Sequence, residues 1–129
     1  AEKASEISTI DFVRSFLVKQ QQEMGKDKRL VMDGRDIGTV VFPNADIKFF
    51  IEASLEERTL RRYNELIHQN KKITIETVKK SLIERDLRDT TRAISPLKKA
   101  KDAILIDNTN LTRTEQLAIA KTIISEKFT

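Results

Sequence analysis

A chain of 129 residues is long enough for one domain with a modest core and too short for two comfortable ones. With 39% apolar and 34% charged residues, no apolar run near the ~20 that span a bilayer and no signal-peptide core in "AEKASE", it reads as a soluble cytoplasmic protein without a membrane partner. The lack of cysteine excludes disulfides and thiolate metal sites, the single histidine, His68, excludes a histidine-rich zinc site, and a net charge of +4 with only six Phe and one Tyr favours a phosphate-bearing small molecule over nucleic acid.

Ile7, Ile10, Val13, Phe16 and Leu17 recur at helical spacing, which predicts an amphipathic helix from about Glu2 to Met24, ended by Gly25. Leu30 to Met32 reads as a short buried strand, and Ile47 to Ala53 as a second one after the turn signal Pro43-Asn44. "TVVF" has strand propensity but little room between Gly38 and Pro43, so a turn or short helix is expected there. Ser54 with Glu57 is a capping-box signature that opens a helix to about Gln69, ending at a surface His68. A further helix is expected from Thr74 or Ile75 through Arg92, then a loop at Pro96 and a third strand from Ala103 to Asp107. Thr112 with Glu115 is another capping box, opening a last helix that turns Leu117, Ile119, Ala120, Ile123 and Ile124 toward the sheet. Strands alternating with helices predict an α/β layer with a parallel sheet.

Two segments concentrate charge. "LVMDGRD" sets Asp33, Arg35 and Asp36 where an apolar strand would end, with Gly34 allowing the turn. "ERDLRDTTR" places Arg85, Arg88, Asp89 and Arg92 on one helix face. Like charges at that spacing repel, whereas an anion between guanidiniums is held by forked, charge-assisted hydrogen bonds, and phosphate is the natural candidate; the plainer alternative is a solvated helix face with Glu84, Asp86 and Asp89 as counter-ions. Acidic residues inside these clusters would repel a polyphosphate backbone, which argues against nucleic acid.

The ordered set "VMDGRDIGTVVFPNADIKFFIEASLEERTLRRY" and "ERDLRDTTRAISPLKKAKDAILIDNTNLT" closely resembles bacterial cytidylate kinases. The resemblance implies a P-loop nucleoside monophosphate kinase fold: a parallel sheet flanked by helices, with a helical lid. Residues 1–24 would lie on the nucleoside monophosphate side, 30–60 and 93–129 in the core, and 61–92 in the lid and its flanking helices. It covers only the carboxyl-terminal part of the family's chain, and no G-x-x-x-x-G-K-[ST] occurs here. In the family the strand before that loop lies between the counterparts of Leu30–Met32 and Ile47–Ala53. The expectation is therefore two strand edges facing a gap, met by rearranged or oligomeric packing or by a further segment.

For the parent enzyme the resemblance implies transfer of phosphate from ATP to CMP or dCMP with Mg²⁺, and inactivity of these residues alone. It implies Asp33 in the outer shell of Mg²⁺, and Arg35 on the acceptor's phosphate. Asp36 would accept from the cytosine 4-amino group, with Ser5 and Arg14 covering the remaining base edge. Arg85 and Arg92 would bracket the phosphates, so that with Arg35 they form the catalytic set, and Asp89 would accept from the ribose. Arg88 falls on the ATP and lid side, while Arg58, Arg61 and Arg62 either touch nucleotide there or face solvent. The other reading is a nucleotide-binding or regulatory module that keeps this acceptor face without catalysis.

Overall fold

A computed structural model describes residues 2–129. The chain divides into two compact units, one formed by Ala1–Asp46 with Lys80–Lys101 and the other by Ile47–Lys79 with Asp102–Thr129.

The first unit opens with two helices, α1 (Glu2–Ile7) and α2 (Asp11–Met24), where one was expected. The break has a local cause. Ser8 Oγ donates to the Ser5 carbonyl at 2.8 Å and Thr9 Oγ1 to the Glu6 carbonyl at 2.7 Å, so hydroxyls compete for the helix acceptors, and Ile10 takes extended backbone before α2 begins. A 3₁₀ turn, Gly25–Asp27, ends α2. The strand expected at Leu30–Met32 does not form. Among the described residues no strand lies beside it, Val31 is 98% exposed, and an unpaired strand gains nothing over hydrated coil. Asp33 therefore follows an irregular segment, and it is exposed. "TVVF" belongs to a π-helical turn, Ile37–Val41, anchored by the buried Val41.

In the second unit β1 (Phe49–Glu52) pairs in parallel with β2 (Ile104–Asp107), Phe49 opposite Ile104 and Glu52 opposite Asp107. The other edge of β1 carries no strand among the described residues. Lys48, buried just before β1, pairs with Asp102 at 2.9 Å just before β2. α3 (Leu55–His68) buries Thr59 and Leu66, and His68 lies exposed in its last turn. α4 (Ile75–Thr91) buries Val78 and runs on into the first unit. α5 (Arg113–Phe128) begins with the full Thr112–Glu115 capping box, but its apolar residues are not buried as expected: Leu117 is 54% exposed and Ile124 40%. Two strands of four residues offer too little apolar surface to cover that helix.

Ser54 caps α3 by accepting from the Glu57 N–H at 3.2 Å, and its own N–H donates to Thr109 Oγ1 at 2.9 Å. Ser54→Ala is expected to lower stability by about 1 kcal/mol in urea denaturation. An unchanged midpoint would mean the cap contributes nothing.

Candidate functional site

The first unit buries charge more than it buries carbon. Val41 is its fully buried apolar residue among those described, against Ser5, Arg14, Asp36, Asp89 and Ser95. Such burial is costly unless the groups satisfy one another.

They do so in two knots. In one, Arg14 from α2 donates through Nη2 to Asp36 Oδ1, the carboxylate being 1% exposed. Asp36 is carried by the chain entering the π-turn, and its backbone carbonyl accepts from the Val40 N–H at 2.9 Å. The pair leaves two buried atoms without a hydrogen-bond partner, the acceptor Asp36 Oδ2 and the donor Arg14 Nε. Unmet buried polar atoms of opposite kind, one on each member of the pair, are what a polar ligand edge would satisfy.

The other knot centres on Asp89 of α4. Its Oδ2 accepts from Arg35 Nε at 2.9 Å and lies 3.7 Å from Arg85 Nε. Oδ1 accepts from Ser5 Oγ at 2.8 Å and lies 4.0 Å from Arg92 Nη1. Burial pushes the Asp89 carboxyl up, but the hydrogen bonds from Arg35 and Ser5 and the charges of Arg35 and Arg85 outweigh it and hold it below the ordinary carboxylate value. Arg92 is lowered by burial and then by the nearby positive charge of Arg14. Arg92 is also tethered, with Nε donating to the Ser95 carbonyl at 2.7 Å and Nη1 to Ser8 Oγ at 3.1 Å.

The structure thus brings Ser5, Arg35, Arg85, Asp89 and Arg92 together, and pairs Arg14 with Asp36. Ser5 meets Asp89 rather than Asp36. Arg88 points elsewhere, 4.0 Å from Glu6 of α1. Arg58, Arg61 and Arg62 lie in the second unit, where Arg58 donates to the Ala53 carbonyl, Arg61 to Glu57 and Asn108, and Arg62 to Glu65. The tethers Ser8 and Ser95 were not singled out from sequence. A left-handed Ser95 (φ 52°) before Pro96 is a backbone feature that composition does not announce.

Four guanidiniums (Arg14, Arg35, Arg85, Arg92) face two carboxylates (Asp36, Asp89), leaving an excess of two positive charges. A phosphomonoester carries about −1.5 to −2 at neutral pH, so the excess matches one such group.

Known proteins resemble this chain over nearly its whole length. Residues 1–126 match the family model described as cytidylate kinase. A cytidylate kinase of Bacteroides fragilis is 54% identical over 114 residues, covering 88% of this chain and 50% of that protein. One from Phocaeicola vulgatus is 51% identical over 124 residues, covering 96% and 52%. One from Flavobacterium psychrophilum is 50% identical over 121 residues, covering 94% and 54%. The chain spans about half the length of the curated relatives it matches.

Proposed function

This chain belongs to the cytidylate kinase family, and on that premise we propose that it forms the acceptor-nucleotide side of an enzyme that transfers a phosphoryl group from ATP to CMP or dCMP, giving ADP and CDP or dCDP. The observation that carries the reading is Asp36, a buried carboxylate with one oxygen on Arg14 and the other without a partner. Cytosine offers a 4-amino donor to Asp36 Oδ2, and its ring acceptors suit the free donor of Arg14. Uracil presents a carbonyl where the amino group was, which would leave the carboxylate unpaired and repelled.

Arg35 takes the acceptor's phosphate, exchanging Asp89 for it, and Arg85 and Arg92 complete the clamp. Asp89, released in part, accepts from the ribose hydroxyls. Phosphoryl transfer asks little covalent work of the protein, so these arginines act by alignment and by neutralising charge on the transferring group. Arg35→Lys loses the planar fork and is expected to weaken CMP binding about tenfold, about 1.4 kcal/mol, in calorimetry. Unchanged affinity would remove Arg35 from the phosphate site.

Magnesium needs only one or two protein carboxylates beside substrate phosphates. Among the described residues no group of three or more metal-binding side chains occurs, and the exposed Asp33 fits this sparse demand. Asp33 would hold Mg²⁺ through a water, and the ion, when bound with ATP, offsets phosphate charge. Residues 61–80 would form the lid of the kinase fold, with Arg58, Arg61 and Arg62 either touching ATP or facing solvent. The setting is cytoplasmic, and no helix among the described residues is long and apolar enough to cross a membrane.

The phosphate-cradling G-x-x-x-x-G-K-[ST] is not among these 129 residues. Turnover therefore calls for that loop from outside them, from the same polypeptide or from a partner that completes the sheet. With ATP, Mg²⁺ and CMP, the 129 residues alone are expected to bind CMP and release no ADP. A rate like that of an intact kinase would overturn that part of the reading.

A further inference from the structure

Asp36 is held also through its backbone, by contacts that have nothing to do with charge. Its carbonyl gathers the N–H groups of Thr39, Val40 and Val41 at 3.3, 2.9 and 3.2 Å, and the Phe42 N–H closes the turn on the Ile37 carbonyl at 2.7 Å. The backbone of Asp36 is thus one end of a rigid π-turn whose other end is Val41 and Phe42. A π-turn is rare and wider than the favoured helical turn, and such turns are frequent at functional sites.

α2 grips that far end. Gln22 Nε2 donates to the Val41 carbonyl at 3.2 Å. Gly25 lies so close to the Phe42 ring that a methyl group there would fall 2.3 Å from Cε1 and 2.6 Å from Cζ. Gly25 has φ −80° and ψ −8°, ordinary right-handed backbone that any residue adopts. Close approach, rather than backbone freedom, is therefore what requires glycine here. The same helix carries Arg14, so α2 holds the turn at two points roughly 16 Å apart along its axis.

We propose that Gly25 is a positioning residue for base selection: it lets Phe42 seat against the end of α2, which fixes the π-turn and with it the Asp36 carboxylate. The inference rests on the reading of Asp36 as the group that selects cytosine. A side chain at Gly25 must displace Phe42, and the displacement passes through the Phe42–Ile37 and Val41–Asp36 hydrogen bonds to the base-reading group. Recognition by one carboxylate oxygen tolerates only about 0.5 Å of such movement.

The test is calorimetric affinity for CMP and for UMP, measured on the wild-type protein and on Gly25→Ala, Phe42→Leu, the double variant and Gln22→Leu. Gly25→Ala is expected to reduce the CMP-over-UMP preference about tenfold. The double variant, with the ring removed, recovers most of it, and Gln22→Leu moves the preference in the same direction by less. A merely structural glycine would lower stability and leave the ratio alone. If wild type prefers CMP and folded Gly25→Ala keeps that preference, the inference is overturned while the reading of Asp36 stands. Should Gly25→Ala not fold, an unaltered ratio in Gln22→Leu overturns it equally. If wild type binds CMP and UMP alike, the reading of Asp36 fails and the inference with it.

Discussion

Asp36→Ala is expected to lower the unfolding free energy by about 3–5 kcal/mol, because it leaves the Arg14 guanidinium buried without its counter-charge. The side chains are 1% and 11% exposed, so neither can reach water without local opening. The intact pair need not stabilise the fold by that amount, since its own desolvation offsets much of the attraction. Asp36→Asn separates stability from recognition. The amide keeps the shape and can still accept from Arg14, so the loss in urea denaturation is smaller. It also places an N–H donor beside the pocket, which suits the 4-carbonyl of uracil and repels the 4-amino group of cytosine. Its expected signature is a preference shifted from CMP toward UMP. An Asn variant with wild-type preference would mean that Asp36 braces Arg14 and reads nothing.

Asp89→Ala is the second large effect, expected at about 2–3 kcal/mol. It removes the acceptor shared by Arg35 and Ser5 and the counter-charge for Arg85 and Arg92. The cost is below that of Asp36 because Arg35 and Arg85 are 39% and 31% exposed and can turn to water. Inorganic phosphate should return part of the lost melting temperature, more than it adds to wild type, by supplying the missing anion. No differential rescue would show that these guanidiniums do not form an anion site. The pH dependence follows from the lowered Asp89 pKa. A carboxyl depressed in the folded state contributes fully above the ordinary unfolded value of about 3.9 and loses that contribution as pH falls through the folded value. Wild-type stability should therefore drop in acid below about pH 4, and that part of the drop should be absent in Asp89→Asn.

What the sequence discloses here is local. Ser54 and Thr112 announce their helices because a cap is settled within four residues. The limits of α4 and the strands at Phe49 and Ile104 follow from periodicity and bounding turns, and "TVVF" is excluded as a strand by the room available. The break at Ser8–Ile10 depends on hydroxyls choosing carbonyls, which apolar spacing does not record. Leu30–Met32 has a strand's composition, but pairing belongs to a neighbour that composition does not supply. The arginine clusters were visible as charge patterns. That Arg35 and Ser5 converge on Asp89, 54 and 84 positions away, is a tertiary fact that no local pattern contains. The acidic residues inside the basic segments were nevertheless the useful signal, since a surface built only to attract phosphates has no need of them.

The most direct test of the account is a pair of titrations in one buffer, CMP and then UMP, followed by heat. The account predicts saturable binding of CMP to one site, with UMP at least about tenfold weaker. Equal affinities, or no heat with either nucleotide, would contradict the assignment of Asp36 and Arg14 as the pair that reads the base.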